Sequence, residues 1–169
     1  HVYHGNGKGK TTAAVGLAIR AAGRGKQVLF AQFMKGGQTG ELTIFAEIPN
    51  IAVLRKKAGA KFSFRMTEAE KETLRAAHLA LWQEIMVHLQ NQPLDLLVLD
   101  EMVGALAKGF FPEDLLREFL QNKPEALEVV LTGRNPAGFL LEAADYVTEM
   151  QEIKHPYQQG IPARIGIEK

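Results

Sequence analysis

A single three-layer α/β domain built on a mostly parallel six-stranded sheet is the fold this sequence predicts. Three observations carry the prediction. Apolar runs of strand length alternate with helical stretches, a glycine-rich turn joins the first run to a helix, and a later run ends in paired carboxylates. A length of 169 residues with 46% apolar side chains suits one self-sufficient core. No repeat, low-complexity tract or linker divides it, so residues 1–169 are read as one domain.

The expected strands are His1 to Tyr3, Gln27 to Phe33, Ile51 to Leu54, Asp95 to Leu99, Leu127 to Thr132 and Asp145 to Met150. Only His1, Val2 and Tyr3 precede the glycine turn, where a strand of ~5 residues is usual. With no initiating Met, this predicts that an N-terminal segment is missing. A helix opens at Lys10, carries Ala13, Ala14, Leu17, Ala18 and Ala21, and stops at Gly23 to Gly25. Thr67 and Glu70 have capping-box spacing ahead of a longer helix, which Pro93 closes. Its apolar stripe runs through Leu74, His78, Leu81, Ile85 and Leu89 with Trp82 beside it, so His78, Trp82 and His88 are read as core or boundary residues and not as ligands.

Composition narrows the function classes. Lys and Arg number 20 against 19 Asp and Glu, a net charge of +1, which provides no broad positive field and argues against nucleic acid as a partner. The absence of cysteine removes disulfides and thiolate metal sites. No apolar run approaches the ~20 residues of a membrane span and no signal peptide is visible, so a soluble, cytoplasmic protein is expected.

The chemistry sits in the turns. Gly5-Asn6-Gly7-Lys8-Gly9-Lys10-Thr11-Thr12 lies between a strand and a helix, where glycines let backbone N–H groups face an anion and the helix N-terminus adds partial positive charge. Lys10 would reach phosphate oxygens and the Thr11 hydroxyl would ligate Mg²⁺. His4 stands where the generic phosphate loop has its first glycine. Leu96-Leu97-Val98-Leu99-Asp100-Glu101 is an apolar strand ending in two acids, one of which would hold the metal directly or through water. Glu101 would activate water in a hydrolase, or ligate the metal in a group transferase. Arg134, after the strand ending at Thr132, would contact phosphate or ribose, or be an exposed loop arginine. The run from Arg55 to Arg65 carries Lys56, Lys57 and Lys61 with Phe62 and Phe64. Its readings are a solvated basic loop, favoured on composition, a single-strand nucleic-acid platform, or a wall for a large planar anion.

These blocks together resemble the phosphate-loop type of ATP:corrinoid adenosyltransferase. They comprise the glycine loop, Gln32-Phe33-Met34-Lys35-Gly36, Val98-Leu99-Asp100-Glu101, Leu131-Thr132-Gly133-Arg134, and Lys154-His155-Pro156-Tyr157 with Gly160, Ala163 and Gly166-Ile167-Glu168. The likeness covers nearly the whole chain in order, and that family also lacks the first glycine of the generic loop. It implies a RecA-like P-loop NTPase fold, a homodimer, and a reaction serving adenosylcobalamin synthesis or salvage. In that reaction cob(I)alamin attacks the ribose C5′ of ATP and expels tripolyphosphate. It also implies a nucleotide lying reversed along the loop, with Mg²⁺ (or Mn²⁺) on Thr11 and Glu101, and Asn6, Gly7, Lys8, Gly9, Lys10, Thr12 and Arg134 on the nucleotide. Lys10 and Glu101 are placed in the catalytic machinery. Phe62 and Phe64 take the positions of two family aromatics that displace the lower axial base of the corrinoid, where relatives often carry Phe and Trp. A flavodoxin-like protein is the implied reductant. A small-molecule kinase or ATPase, with Lys35 or Arg134 near the γ-phosphate, and a nucleotide-dependent switch protein are the competing readings. Neither accounts for the blocks at Gln32 to Gly36 and Lys154 to Glu168.

Overall fold

The computed structural model describes residues 1–37, 39–56 and 66–168. Phe62 and Phe64, and with them Lys57, Lys61 and Arg65, lie outside the described residues.

Six strands form one sheet: β1 (Val2–His4), β2 (Val28–Gln32), β3 (Ile51–Arg55), β4 (Leu96–Asp100), β5 (Glu128–Thr132) and β6 (Val147–Glu149). They lie in the order β3-β2-β4-β5-β1-β6, and every pairing is parallel. The predicted strands are all present, and the sheet is parallel throughout. Among the described residues six α-helices connect them: α1 (Lys10–Ala22), α2 (Gly40–Phe45), α3 (Glu68–Asn91), α4 (Met102–Ala107), α5 (Glu113–Asn122) and α6 (Gly138–Ala143).

Strand alternation sorts the core into two layers. Leu29, Ala31, Leu97, Leu99, Val129 and Leu131 face one side and pack with Leu81, Trp82 and Ile85 of α3, Met102 of α4, Leu116 of α5 and Leu140 of α6. Their neighbours Val28, Phe30, Leu96, Val98 and Val130 face the other side and meet Ala14, Ala18 and Ala22 of α1 and Phe45 of α2. Helices on both faces make the three layers and bury the β2 and β4 strands completely.

The alanine stripe of α1 recurs every fourth residue, so small side chains line the face set against the sheet. Ala18 is fully buried, and a Leu there would overpack the layer at a cost of ~1–3 kcal/mol. On the opposite face Trp82 meets Phe111 and Phe119 edge-on at 5.2 and 5.3 Å, pairs that add ~0.5–1.5 kcal/mol each beyond their buried area. α3 begins with the capping box that its sequence predicts: Thr67 Oγ1 accepts from the Glu70 N–H and Glu70 returns a carboxylate to the Thr67 N–H.

Because all strands run the same way, β1, β2, β4 and β5 release the glycine loop, Phe33 to Gly37, Glu101 and Gly133 to Asn135 along one carboxyl edge. Chain segments far apart in sequence therefore converge there.

Candidate active site

The glycine loop is shaped by backbone that only glycine tolerates. Gly5 has φ +104°, and a Cβ there would lie 2.4 Å from the Met150 carbonyl oxygen. A Cβ on Gly7 would lie 2.7 Å from the Gln151 carbonyl. The Gly7 N–H donates to Met150 O at 2.7 Å, and the Met150 N–H donates to His4 O at 2.8 Å. The segment just past β6 is thus the rear wall of the loop. His4 itself is the last residue of β1, in register with Glu149 of β6, with none of the positive φ that would call for glycine.

Lys10 opens α1 and turns back over the loop, its Nζ donating to Gly5 O at 2.8 Å and Gly7 O at 2.7 Å. Burial lowers its pKa, the nearby Arg134 charge lowers it further, and Glu101 and Glu152 oppose both. Those two carbonyls hold the ammonium across the loop. Arg134 leans over the same loop, its Nη2 reaching Asn6 O at 3.4 Å.

Beside Lys10 lies a cluster centred on Asp100, which is completely buried. Thr11 Oγ1 donates to its Oδ1 at 2.8 Å and Thr132 Oγ1 to the same oxygen at 2.7 Å. Lys35 Nζ donates to Oδ2 at 2.6 Å and to Thr11 Oγ1 at 3.1 Å. A buried carboxylate is tolerated only when paired and hydrogen-bonded in this way. Thr132 also accepts the Glu101 N–H at 2.8 Å, tying β5 to the end of β4.

Glu101 follows in the left-handed conformation, φ 63°, capping α4. The turn points it away from Asp100's buried position and onto the cavity lining. Burial pushes its carboxyl pKa up, the Asp100 charge pushes it further, and Lys35 and Lys10 pull against them.

Over this floor opens a cavity of about 1120 Å³. Asn6 to Thr12, Lys35, Glu101 and Arg134 form its base, and His155 to Glu168 form the opposite side. The latter segment is held locally: Arg164 donates from its N–H, Nε and Nη2 to the Glu168 carboxylate at 2.8, 3.2 and 2.7 Å, which holds that carboxyl down at about 2. Thr39 and Glu41 line the third side, and Glu41 accepts from Gln32 Nε2 at 3.1 Å. Among the described residues Gln32 Oε1 and Thr39 Oγ1 are the buried side-chain polar atoms with no partner.

The structure therefore brings Asn6, Gly7, Lys8, Gly9, Lys10, Thr11, Thr12, Glu101 and Arg134 onto one cavity. Two residues left out of the predicted set belong to the cluster beside it: Lys35 on the cavity lining and Asp100 buried behind. Asp100, and not Glu101, is the acid that Thr11 touches, and Lys35 bridges the two. His78 is a core residue, as its place in the apolar stripe implies: it is 2% exposed, its Nε2 accepts from the Met34 N–H at 3.2 Å, and its Nδ1 faces Phe110 O at 3.1 Å.

No three His, Cys, Asp or Glu among the described residues converge to hold a metal ion. An all-protein cage is thereby absent from them. A hydroxyl and one or two carboxylates beside a phosphate loop suit an ion that keeps waters and shares phosphate oxygens.

A parallel sheet carrying a glycine loop, a lysine over that loop and a Thr–Asp pair one strand away defines a phosphate-loop nucleotide-binding protein. Within that class, the family model described as ATP:corrinoid adenosyltransferase BtuR/CobO/CobP matches residues 1–168, and the chain belongs to that family. It is similar to the corrinoid adenosyltransferase of Pseudomonas aeruginosa, 36% identical over 168 residues that cover 99% of this chain and 81% of that protein. The Escherichia coli K12 corrinoid adenosyltransferase is likewise 36% identical, covering 99% and 83%. That of a Sinorhizobium species is 32% identical over 170 residues, covering 97% and 77%. The family makes the chain a transferase with ATP and a corrinoid as substrates. Among the described residues no helix is long and apolar enough to cross a membrane.

Proposed function

We propose that this chain transfers the 5′-deoxyadenosyl group of ATP to the Co(I) centre of a corrinoid such as cob(I)alamin, with release of tripolyphosphate. The observation that carries the proposal is the cavity floor on which the Lys10 loop and the Thr11–Asp100–Lys35 cluster meet, beneath a cavity of about 1120 Å³. In the transfer the Co–C5′ bond forms with the electron pair of Co(I), and the C5′–O bond breaks with its pair leaving on tripolyphosphate. Cobalt ends as Co(III). Co(I) is itself a powerful nucleophile, so the protein's work is to position the reactants and to stabilise the departing negative charge.

In this reading Asn6, Gly7, Lys8, Gly9, Lys10 and Thr12 grip the triphosphate as a leaving group, with Arg134 beside it. A nucleotide reversed along the loop leaves C5′, not the γ-phosphate, open to attack. Thr11 and Glu101, with Asp100 behind them, would hold Mg²⁺ or Mn²⁺, which when bound neutralises phosphate charge. Thr11 is suited to that role because its proton is given to Asp100, so its oxygen lone pairs face cations, as the Lys35 ammonium at 3.1 Å illustrates. Phe62 and Phe64 are assigned to the axial face of the corrinoid, where removing the lower ligand makes Co(II) easier to reduce. We extend the proposal to a homodimer and to a flavodoxin-like electron donor, for which the basic run beginning at Arg55 and Lys56 has complementary charge.

The test is anaerobic incubation with Mg-ATP and chemically reduced cobalamin, following the adenosylcobalamin spectrum and the phosphate product. The expected products are a Co–C bond and tripolyphosphate. ADP and phosphate with an unaltered corrinoid spectrum would sink the reading. Phe62→Ala with Phe64→Ala is expected to keep ATP binding and to cripple turnover that starts from Co(II).

A further inference from the structure

The Thr11–Asp100 pair already holds a cation, and that cation is a side chain. Lys35 Nζ lies 2.6 Å from Asp100 Oδ2 and 3.1 Å from Thr11 Oγ1. Thr11 has committed its proton to Asp100 Oδ1 at 2.8 Å, so its contact with Lys35 uses one of the two oxygen lone pairs on which a metal ion would draw. Asp100 Oδ1 is further occupied by Thr132 at 2.7 Å, which leaves Oδ2 as the carboxylate oxygen facing the ammonium.

The placement of Lys35 is enforced by its surroundings. Met34 just before it is held left-handed, φ 58°, a conformation that a non-glycine residue keeps only where its neighbours impose it. The Met34 N–H donates to His78 Nε2 at 3.2 Å, and the other ring nitrogen of that buried histidine faces Phe110 O. On the far side Arg55 Nη2 donates to Gly37 O at 2.7 Å. The backbone at both ends is thereby anchored, and the flexible part is the four-carbon stem of Lys35, whose side chain is 25% exposed on the cavity floor.

We propose that Lys35 is a tethered stand-in cation that competes with the divalent metal for Thr11 and Asp100, so that metal and nucleotide load together and the metal does not load alone. A bare divalent ion must displace an ammonium from a 2.6 Å pairing with a fully buried carboxylate. A metal–nucleotide brings phosphate oxygens into the same cavity, where the released Lys35 finds a new anionic partner alongside Lys8 and Lys10. This rests on the reading of Thr11, Asp100 and Glu101 as the metal site.

The experiment is titration of the full chain with Mn²⁺, with free Mn²⁺ followed by electron paramagnetic resonance, in the absence and presence of ATP. Lys35→Met and Lys35→Gln, each checked for folding by circular dichroism, are expected to bind Mn²⁺ without nucleotide at least tenfold more tightly than the parent protein. Lys35→Arg, which keeps the charge, is expected to match the parent, and Thr11→Val added to Lys35→Gln should erase the gain. Unchanged or weaker Mn²⁺ binding in the folded neutral variants overturns the inference while leaving the metal site intact, provided the parent binds Mn²⁺ with ATP in a Thr11-dependent way. If that Thr11-dependent complex is absent, the metal-site reading fails and takes this inference with it. Tight Mn²⁺ binding by the parent protein without nucleotide overturns the inference without any variant.

Discussion

The two sides of the cavity are built on opposite plans. Its floor, from Gly5 to Thr12 with Asp100 beneath, is set by strand register and closely packed backbone, and its central carboxylate is wholly buried. The facing wall, from His155 to Glu168, contains a four-residue 3-10 turn at Pro156–Gln159 and leaves Tyr157 and Ile165 76% and 89% exposed. Its bonds are local, such as His155 Nδ1 accepting the Tyr157 N–H at 3.1 Å and the Arg164–Glu168 clamp. A rigid floor preorganises charges for a leaving group. A wall with few tertiary ties can adapt to what lies against it.

Substitutions on the two sides should differ in the size of their effects. The largest effect is expected for Lys10→Met, which removes a charge that the proposed function assigns to the departing phosphates and should lower turnover by ~10²–10³-fold, as loss of one transition-state donor does elsewhere. Tyr157→Ala in the wall, assayed alongside by adenosylcobalamin formation, should lose much less. Gly5→Ala comes next: the new Cβ meets a main-chain oxygen at a positive φ, so stability should fall by ~1–3 kcal/mol, read as a lower thermal midpoint. Gly166→Ala, also at positive φ but in open space on the wall side, should cost less and leave ATP binding in place.

A third comparison uses pH. Burial lowers the His78 pKa beneath its ordinary 6.5. The unfolded chain therefore takes up a proton before the folded one does, and stability is lost as pH falls from about 6.5 toward the folded value. His78→Gln should flatten that part of a melting-midpoint profile. The smallest effect belongs to the wall. The Glu168 carboxyl, held at about 2 by Arg164, should return toward 4.5 in Arg164→Ala when followed by carboxyl NMR, with little change in thermal midpoint.

The same contrast decides what was legible from sequence. The floor could be read because its demands fall on residue type: glycines at strained backbone, then Lys10 and Thr11 at a helix start, and acids at the end of an apolar strand. All six strands were legible as apolar runs. The helices α2, α4 and α6 have six residues each, too few for a 3.6-residue period to declare itself. Asp100 and Glu101 could not be told apart in sequence. Their division of labour arises from the left-handed turn at Glu101, which ends strand alternation between the two. Lys35 was missed as the partner of Asp100 because its reach depends on the backbone of Met34 and on the α3 histidine that holds it. The His155 to Glu168 wall has no pattern of its own, and only family resemblance marked it in the sequence.

The position of β1 between β5 and β6 has a consequence for biosynthesis. Val2 pairs with Leu131 and with Val147, so a growing polypeptide carries its glycine loop unsupported until nearly all of the domain has left the ribosome. The Met150 and Gln151 carbonyls that back Gly5 and Gly7 emerge later still. A nascent or truncated chain that stops before β6 would display the motif without the main-chain oxygens that back Gly5 and Gly7.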